Sequence, residues 1–98
     1  MLGVAKRIYK LLRWAQLVIS GFDWDDANIL RIGKHQFTPE EVEEVFAGEH
    51  KVRRARQKLY IALGETLDGR LSLVVFRRLA KGVVRVITIA TWMALKGG

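Results

Sequence analysis

The sequence predicts an α+β fold: a short strand, two helices and then an antiparallel three-stranded meander, preceded by an extra amphipathic helix. Three observations carry this reading. Helix-start signatures stand at Asp25 and Thr38. Beyond residue 58 the apolar residues alternate with a period of two instead of recurring every three or four positions. Turn chemistry in Leu67-Asp68-Gly69-Arg70 separates two of the alternating runs, as a hairpin requires.

In chain order, residues 2–19 read as an amphipathic helix. Lys6, Lys10 and Arg13 share one face, and Leu2, Ile8, Tyr9, Leu12 and Ile19 populate the other. Such a helix packs on the domain, or lies weakly on a membrane surface or a partner. Residues 1–21 are therefore set apart as an extension, and residues 22–98 form the domain. Phe22 and Trp24 alternate as in a short strand. Asp25 caps a helix through Ile32, with Ile29 and Ile32 one turn apart for the core and Gly33 at C′. Thr38 at N-cap, Pro39 at N1 and Glu41 at N3 complete a capping box, and Phe37 is placed to staple to Val42. Val42, Val45 and Phe46 make that helix's buried stripe, and Gly48 ends it. "EHKVRRARQK" follows as a basic run with no strand assigned. Leu59, Ile61 and Leu63 then alternate against Tyr60 and Ala62, and Leu71, Leu73 and Val75 against Ser72, Val74 and Phe76. "VVRVITIAT" (83–91) is the third strand of the meander, reached through Ala80-Lys81-Gly82.

Composition narrows the function classes. Half of the 98 residues are hydrophobic, too many for a disordered chain. With no cysteine and two histidines, His35 and His50, the sequence contains no thiolate chemistry and calls for no metal and no cofactor. The longest uncharged run, residues 86–95, is far below the roughly 20 residues of a spanning helix. Lys6, Arg7, Lys10 and Arg13 break up any secretory signal, so the expected location is cytoplasmic. The formal charge of +7 is segregated: residues 1–21 contribute +4, residues 22–50 contribute −6, and residues 51–98 contribute +9. A field of this kind serves solubility or attracts a polyanion such as RNA, and its segregation favours the polyanion.

No Gly-rich phosphate loop, serine nucleophile or metal-ligand spacing is present, and the acids of residues 22–50 read as helix caps and a solvated face. The basic set remains. Cutting RNA without a metal requires a group to activate the ribose 2′-hydroxyl, positive charge on the phosphate and a proton for the leaving oxygen. Histidine suits the proton transfers, and arginine and lysine suit the phosphate. Lys34 and His35 share one loop, Arg53, Arg54 and Arg56 another; Arg77 and Arg78 end a strand, and Arg85 sits inside the next. Two readings stand for His35, a loop residue bonded to a helix terminus or a proton-transfer group. Arg85 lies either on an exposed edge or aimed into a site.

Three stretches, "FDWDDANILRIGKHQFTPEEVEEVF", "YIALGETLDGRLSLVVF" and "VVRVIT", together resemble the BrnT-type toxins of bacterial type II toxin–antitoxin systems. The likeness runs in order from residue 22 to about residue 88. It implies a RelE-like ribonuclease fold, metal-independent RNA cleavage that inhibits translation, and a cognate BrnA-like antitoxin with a ribbon-helix-helix DNA-binding part. Carried over, Lys34 and His35 match the family's basic-His loop, Arg53 or Arg54 the basic residue before the hairpin, Arg70 the Gly-Arg pair and Arg85 the arginine of the last strand. The expected catalytic set is then His35, Lys34, Arg54 and Arg85, with Arg53, Arg56, Arg70, Arg77 and Arg78 binding RNA. Gln36 stands where the family has glycine, and "IATWMALKGG" replaces the family's Ala-Arg and charged terminal helix. That altered end keeps a second reading open: a catalytically inactive relative that binds antitoxin or RNA.

Overall fold

Helix starts and strand alternation fall where local chemistry places them. In the computed structural model residues 19–91 are described, and the helix expected over residues 2–19 lies outside them except for Ile19. The elements run β1 (Gly21–Phe22), α1 (Asp26–Gly33), α2 (Pro39–Ala47), β2 (His50–Arg54), β3 (Leu59–Glu65), β4 (Leu71–Arg78) and β5 (Val83–Thr91). This is the expected α+β class, with one strand more than expected. The sheet order is β1-β5-β4-β3-β2, antiparallel throughout except that β1 runs parallel to β5. The meander therefore has four strands. The basic run supplies the fourth, because Val52 anchors β2 in the core while Lys51, Arg53 and Arg54 stay exposed on an edge strand.

Both helices start on capping boxes. The Asp25 side chain accepts from the Asn28 N–H and the Asn28 side chain accepts from the Asp25 N–H; Thr38 and Glu41 repeat the arrangement in α2. α1 packs on β5 and α2 on β3, both on one side of the sheet. The core between them gathers Ile32, Phe37, Val42, Val45, Phe46, Val52, Ala62, Val74, Phe76, Val84, Val86 and Ile89. Ile29, expected inside, is exposed, and Asn28 takes the buried position instead. Gly33 is the last helical residue and not C′; the left-handed residue that turns the chain is Gln36, at φ 66°. A non-glycine residue thus adopts the conformation for which glycine would be chosen.

Phe76 is the hub of the aromatic packing. Its ring is fully buried, edge-on to Phe46 at 5.1 Å and stacked beside Tyr60 at 5.6 Å. Gly64 sets how closely β2 and α2 approach, since a Cβ there would lie 2.9 Å from the His50 Cβ and 3.1 Å from a Val45 methyl. Phe76→Ala is expected to lower the unfolding free energy by about 3–5 kcal/mol, because the surrounding rings cannot collapse into the space. Urea denaturation with an unchanged m-value is the check.

Candidate nucleic-acid interface

The sheet register sorts the predicted site residues into two groups at opposite ends of the strands. At one end, Arg54 pairs with Tyr60, and Tyr60 with Phe76, so these three side chains share the helix-covered face. Arg78, two residues beyond Phe76, reaches back and places its guanidinium 5.5 Å from the centre of the Tyr60 ring. Arg53 and Arg77 point to the opposite face, where Arg53 faces Ile61 and Arg77 lies between Leu59 and Arg85. The β2–β3 turn adds Arg56 and Lys58, and the β4–β5 connection adds Lys81. Gln57 at φ 57° and Lys58 at φ 63° hold the β2–β3 turn in left-handed backbone, with the Leu59 N–H donating to the Arg56 carbonyl.

No acidic residue occurs from His50 to Gly64 or from Leu71 to Thr91. Among the described residues Arg53, Arg54, Arg56 and Arg77 form no ion pair. Their charge faces solvent uncompensated, which is the electrostatic footprint of a phosphate-binding surface. Tyr60 opens one of the stretches that carry the resemblance, but only the register places it beside Arg54 and Arg78.

Lys34 and His35 sit at the other end. Both are exposed in the turn after α1, where the Lys34 N–H donates to the Leu30 carbonyl and the His35 N–H to the Ile32 carbonyl. Arg70 organises this turn. It bonds Glu41 at 2.8 Å, donates to the Gln36 carbonyl at 3.0 Å and covers the Phe37 ring at 4.0 Å. Thr66, hydrogen-bonded to Arg70, lies six residues along the chain from Tyr60, so about 20 Å at ~3.3 Å per residue separates the two groups. The structure brings Arg54, Arg78 and Tyr60 together, and it keeps His35 and Lys34 apart from them.

Arg85 lies inside the sheet between β1 and β4, so it is not on an edge. Asp25 at 2.8 Å and Asp23 at 3.1 Å hold its guanidinium, both close to the start of α1. Those carboxylates raise the Arg85 pKa further. The Asn28 N–H, then Arg85, hold the Asp25 carboxyl below the usual carboxylate range. The Thr38 N–H, then Arg70, do the same for Glu41, and the Thr66 hydroxyl, then Arg70, for Asp68. His50 is a packing residue. Its ring lies edge-on to Phe46, one nitrogen bonds the Gly48 carbonyl, and the other is buried.

A helix pair packed on one face of a small five-stranded sheet is a fold that this chain shares with a solved structure. The crystal structure of BrnT from Brucella abortus is similar to this chain with a TM-score of 0.60 and 19% sequence identity. The similarity covers 76% of this chain and 96% of that one. No family model matches the sequence, and no curated protein matches it. No helix among the described residues is long and apolar enough to cross a membrane.

The lowered carboxyl values have a directional consequence. A depressed native pKa adds stability above the unfolded value, about pH 4, and that stability is lost as pH falls through the native value. The melting temperature is therefore expected to fall on acidification below about pH 4, and Asp25→Asn to melt lower at neutral pH with a shallower acid limb. Thermal denaturation of both proteins across that range is the measurement.

Proposed function

We propose that this protein is the toxin of a type II toxin–antitoxin system, an endoribonuclease that cuts RNA without a metal and so inhibits translation in the bacterial cytoplasm. A BrnA-like antitoxin with a ribbon-helix-helix part is its proposed partner. The observation that carries the reading is the convergence of Arg54, Tyr60 and Arg78, none of them ion-paired among the described residues, at one end of a sheet whose fold is similar to that of a solved ribonuclease toxin. Arg54 and Arg78 would meet the phosphate, whose charge grows as the 2′-oxygen attacks. The Tyr60 hydroxyl is the proton-carrying group beside them, and Arg53, Arg56 and Arg77 would hold the flanking backbone. Arg70 and Arg85 enter this reading as positioning residues, the one for the Lys34–His35 turn and the other for the start of α1.

A second reading is a relative that binds RNA or antitoxin without cutting. It is favoured by the distance between His35 and the arginine group, since a proton-transfer group must stand within hydrogen-bond reach of its proton.

Labelled-RNA cleavage by the purified chain separates the two. Cleavage is expected, with Arg54→Ala and Arg78→Ala each reducing it at least about tenfold and Tyr60→Phe abolishing most of it. His35→Ala, run in parallel, is expected to retain activity; its loss there would move the chemistry to the Lys34–His35 turn. RNA binding without cleavage by the parent would establish the second reading. In either case the salt dependence of RNA affinity should become shallower by about 0.7 in log–log slope for each phosphate contact removed.

A further inference from the structure

Both helices cover the same side of the sheet, and no described element covers the other. That other side is apolar at its centre. Leu59, Ile61 and Leu63 of β3, with Leu73 and Val75 of β4, line an open cavity of about 700 Å³ on it. β3 and β4 thus carry apolar residues on both faces, a pattern that belongs to sheets covered on both sides. The two margins of this face differ in charge. Lys51 and Arg53 stand on it along β2, opposite Leu63 and Ile61, and Arg56 borders it in the β2–β3 turn. No carboxylate occurs from His50 to Gly64 to oppose them. At the other margin Arg85 falls on the same face, cross-strand from Arg77, since Val84 and Val86 on either side of it are buried under the helices. Asp23 and Asp25 hold Arg85 from beyond β1 and are themselves half-exposed. Two carboxylates on one guanidinium leave a negative charge in excess there.

This polarity across the strands selects the occupant. A uniformly acidic or basic partner would match one margin and oppose the other, whereas a second copy of this chain matches both. A two-fold axis along the strands, between β3 and β4, lays β3 of one copy on β4 of the other. Each β2–β3 turn then lies over the β1–β5 margin of the second copy, and Arg53 and Arg56 meet its Asp23 and Asp25, twice by symmetry. An axis across the strands would instead stack the two basic β2 edges on each other. The aliphatic floors pack at the ~10 Å spacing of a β-sandwich. Four strands of about eight residues make a face of about 19 Å by 26 Å, on the order of 1,000 Å² over both copies. That is the low end for a specific interface, so the pairing is reversible. We propose that the open face of the sheet is a self-association surface, on which two copies of this chain pair face to face about an axis along the strands. The inference holds whether or not the protein cuts RNA. Arg54, Tyr60 and Arg78 lie on the helix-covered side and stay outside the interface.

The test is analytical ultracentrifugation of the full-length chain from micromolar to near-millimolar concentration. A monomer–dimer equilibrium is expected, with a dissociation constant that rises with salt. Leu73→Glu would bury an unpaired carboxylate at the centre of the floor, and it is expected to raise that constant at least about tenfold, with circular dichroism showing the variant folded. Asp23→Lys and Arg56→Glu are each expected to raise it about tenfold. One chain carrying both changes is expected to recover most of the loss, because the exchanged charges meet again across the axis. A merely structural effect of either change would not be recovered in this way, and the exchange decides by itself should Leu73→Glu unfold. A monomer at every concentration overturns the inference. So does a dimer that a folded Leu73→Glu leaves intact, or a double variant no tighter than its singles. The cleavage assay reads the ribonuclease proposal separately, so either can fall while the other stands.

Discussion

Asn28 is a polar side chain sealed from water at the junction of three elements, and the start of the domain depends on it. Its amide oxygen accepts from the Asp25 N–H, and its amide nitrogen donates to the Asp23 carbonyl and, at 3.4 Å, to the Val86 carbonyl. The same residue's backbone N–H is capped by Asp25. One amide therefore joins the β1–α1 connection to the first turn of α1 and to the middle of β5. Each buried group it satisfies would otherwise cost about 1–3 kcal/mol. With that connection fixed, Asp23 and Asp25 are aimed at Arg85, and the sheet receives β1 in parallel beside β5. Arg31 adds a second tie from α1, donating to the carbonyl of Ile87, the residue left unpaired where the β4–β5 register shifts.

A comparable economy holds at the far end of α1. Arg70 leaves the β3–β4 hairpin, lies over Phe37 and reaches Glu41 and the Gln36 carbonyl, so hairpin, inter-helix turn and α2 are joined through one guanidinium. Its planar fork suits this multiple use, which a lysine could not reproduce. Arg70 and Arg85, which the resemblance placed among the site residues, are held by carboxylates of the fold itself. Among the described residues, the arginines with no ion pair include Arg53 and Arg54 of the edge strand, Arg56 of the β2–β3 turn and Arg77 near the end of β4.

Much of this was legible in the sequence where a local rule governs. Thr38-Pro39-Glu40-Glu41 and Asp25 announce their helices, and the Asp68-Gly69 turn announces its hairpin. Three features were not. β2 escaped because an edge strand needs only one inward apolar residue, Val52, and the charges around it obscure any alternation. The β2–β3 turn escaped because Gln57 and Lys58 adopt left-handed backbone without the Asn-Gly signature that normally marks it. Ile29 was misplaced because α1 is only two turns long and its buried face is set by Asn28 and Ile32, which the β5 contact selects. The division of the basic residues into two groups is a property of strand register. No spacing along the chain reveals which residues stand at the same end of a sheet.

That division also orders charge in space. Arg53, Arg54, Arg56, Lys58, Arg77, Arg78 and Lys81 crowd one end of the strands, where Asp23 and Asp25 are paired with Arg85, whereas Glu41, Glu44, Glu65 and Asp68 gather with Arg70 around the hairpin at the other. The described part of the molecule is thus an electrical dipole lying along its strands. In the field of a polyanion such a body feels a torque as well as an attraction, and at physiological salt the field acts over about 8 Å. It turns before it touches. The orientation in which the protein arrives is selected during the approach, so that even a weak encounter presents the same end, and collisions that would be wasted on a uniformly charged surface become productive.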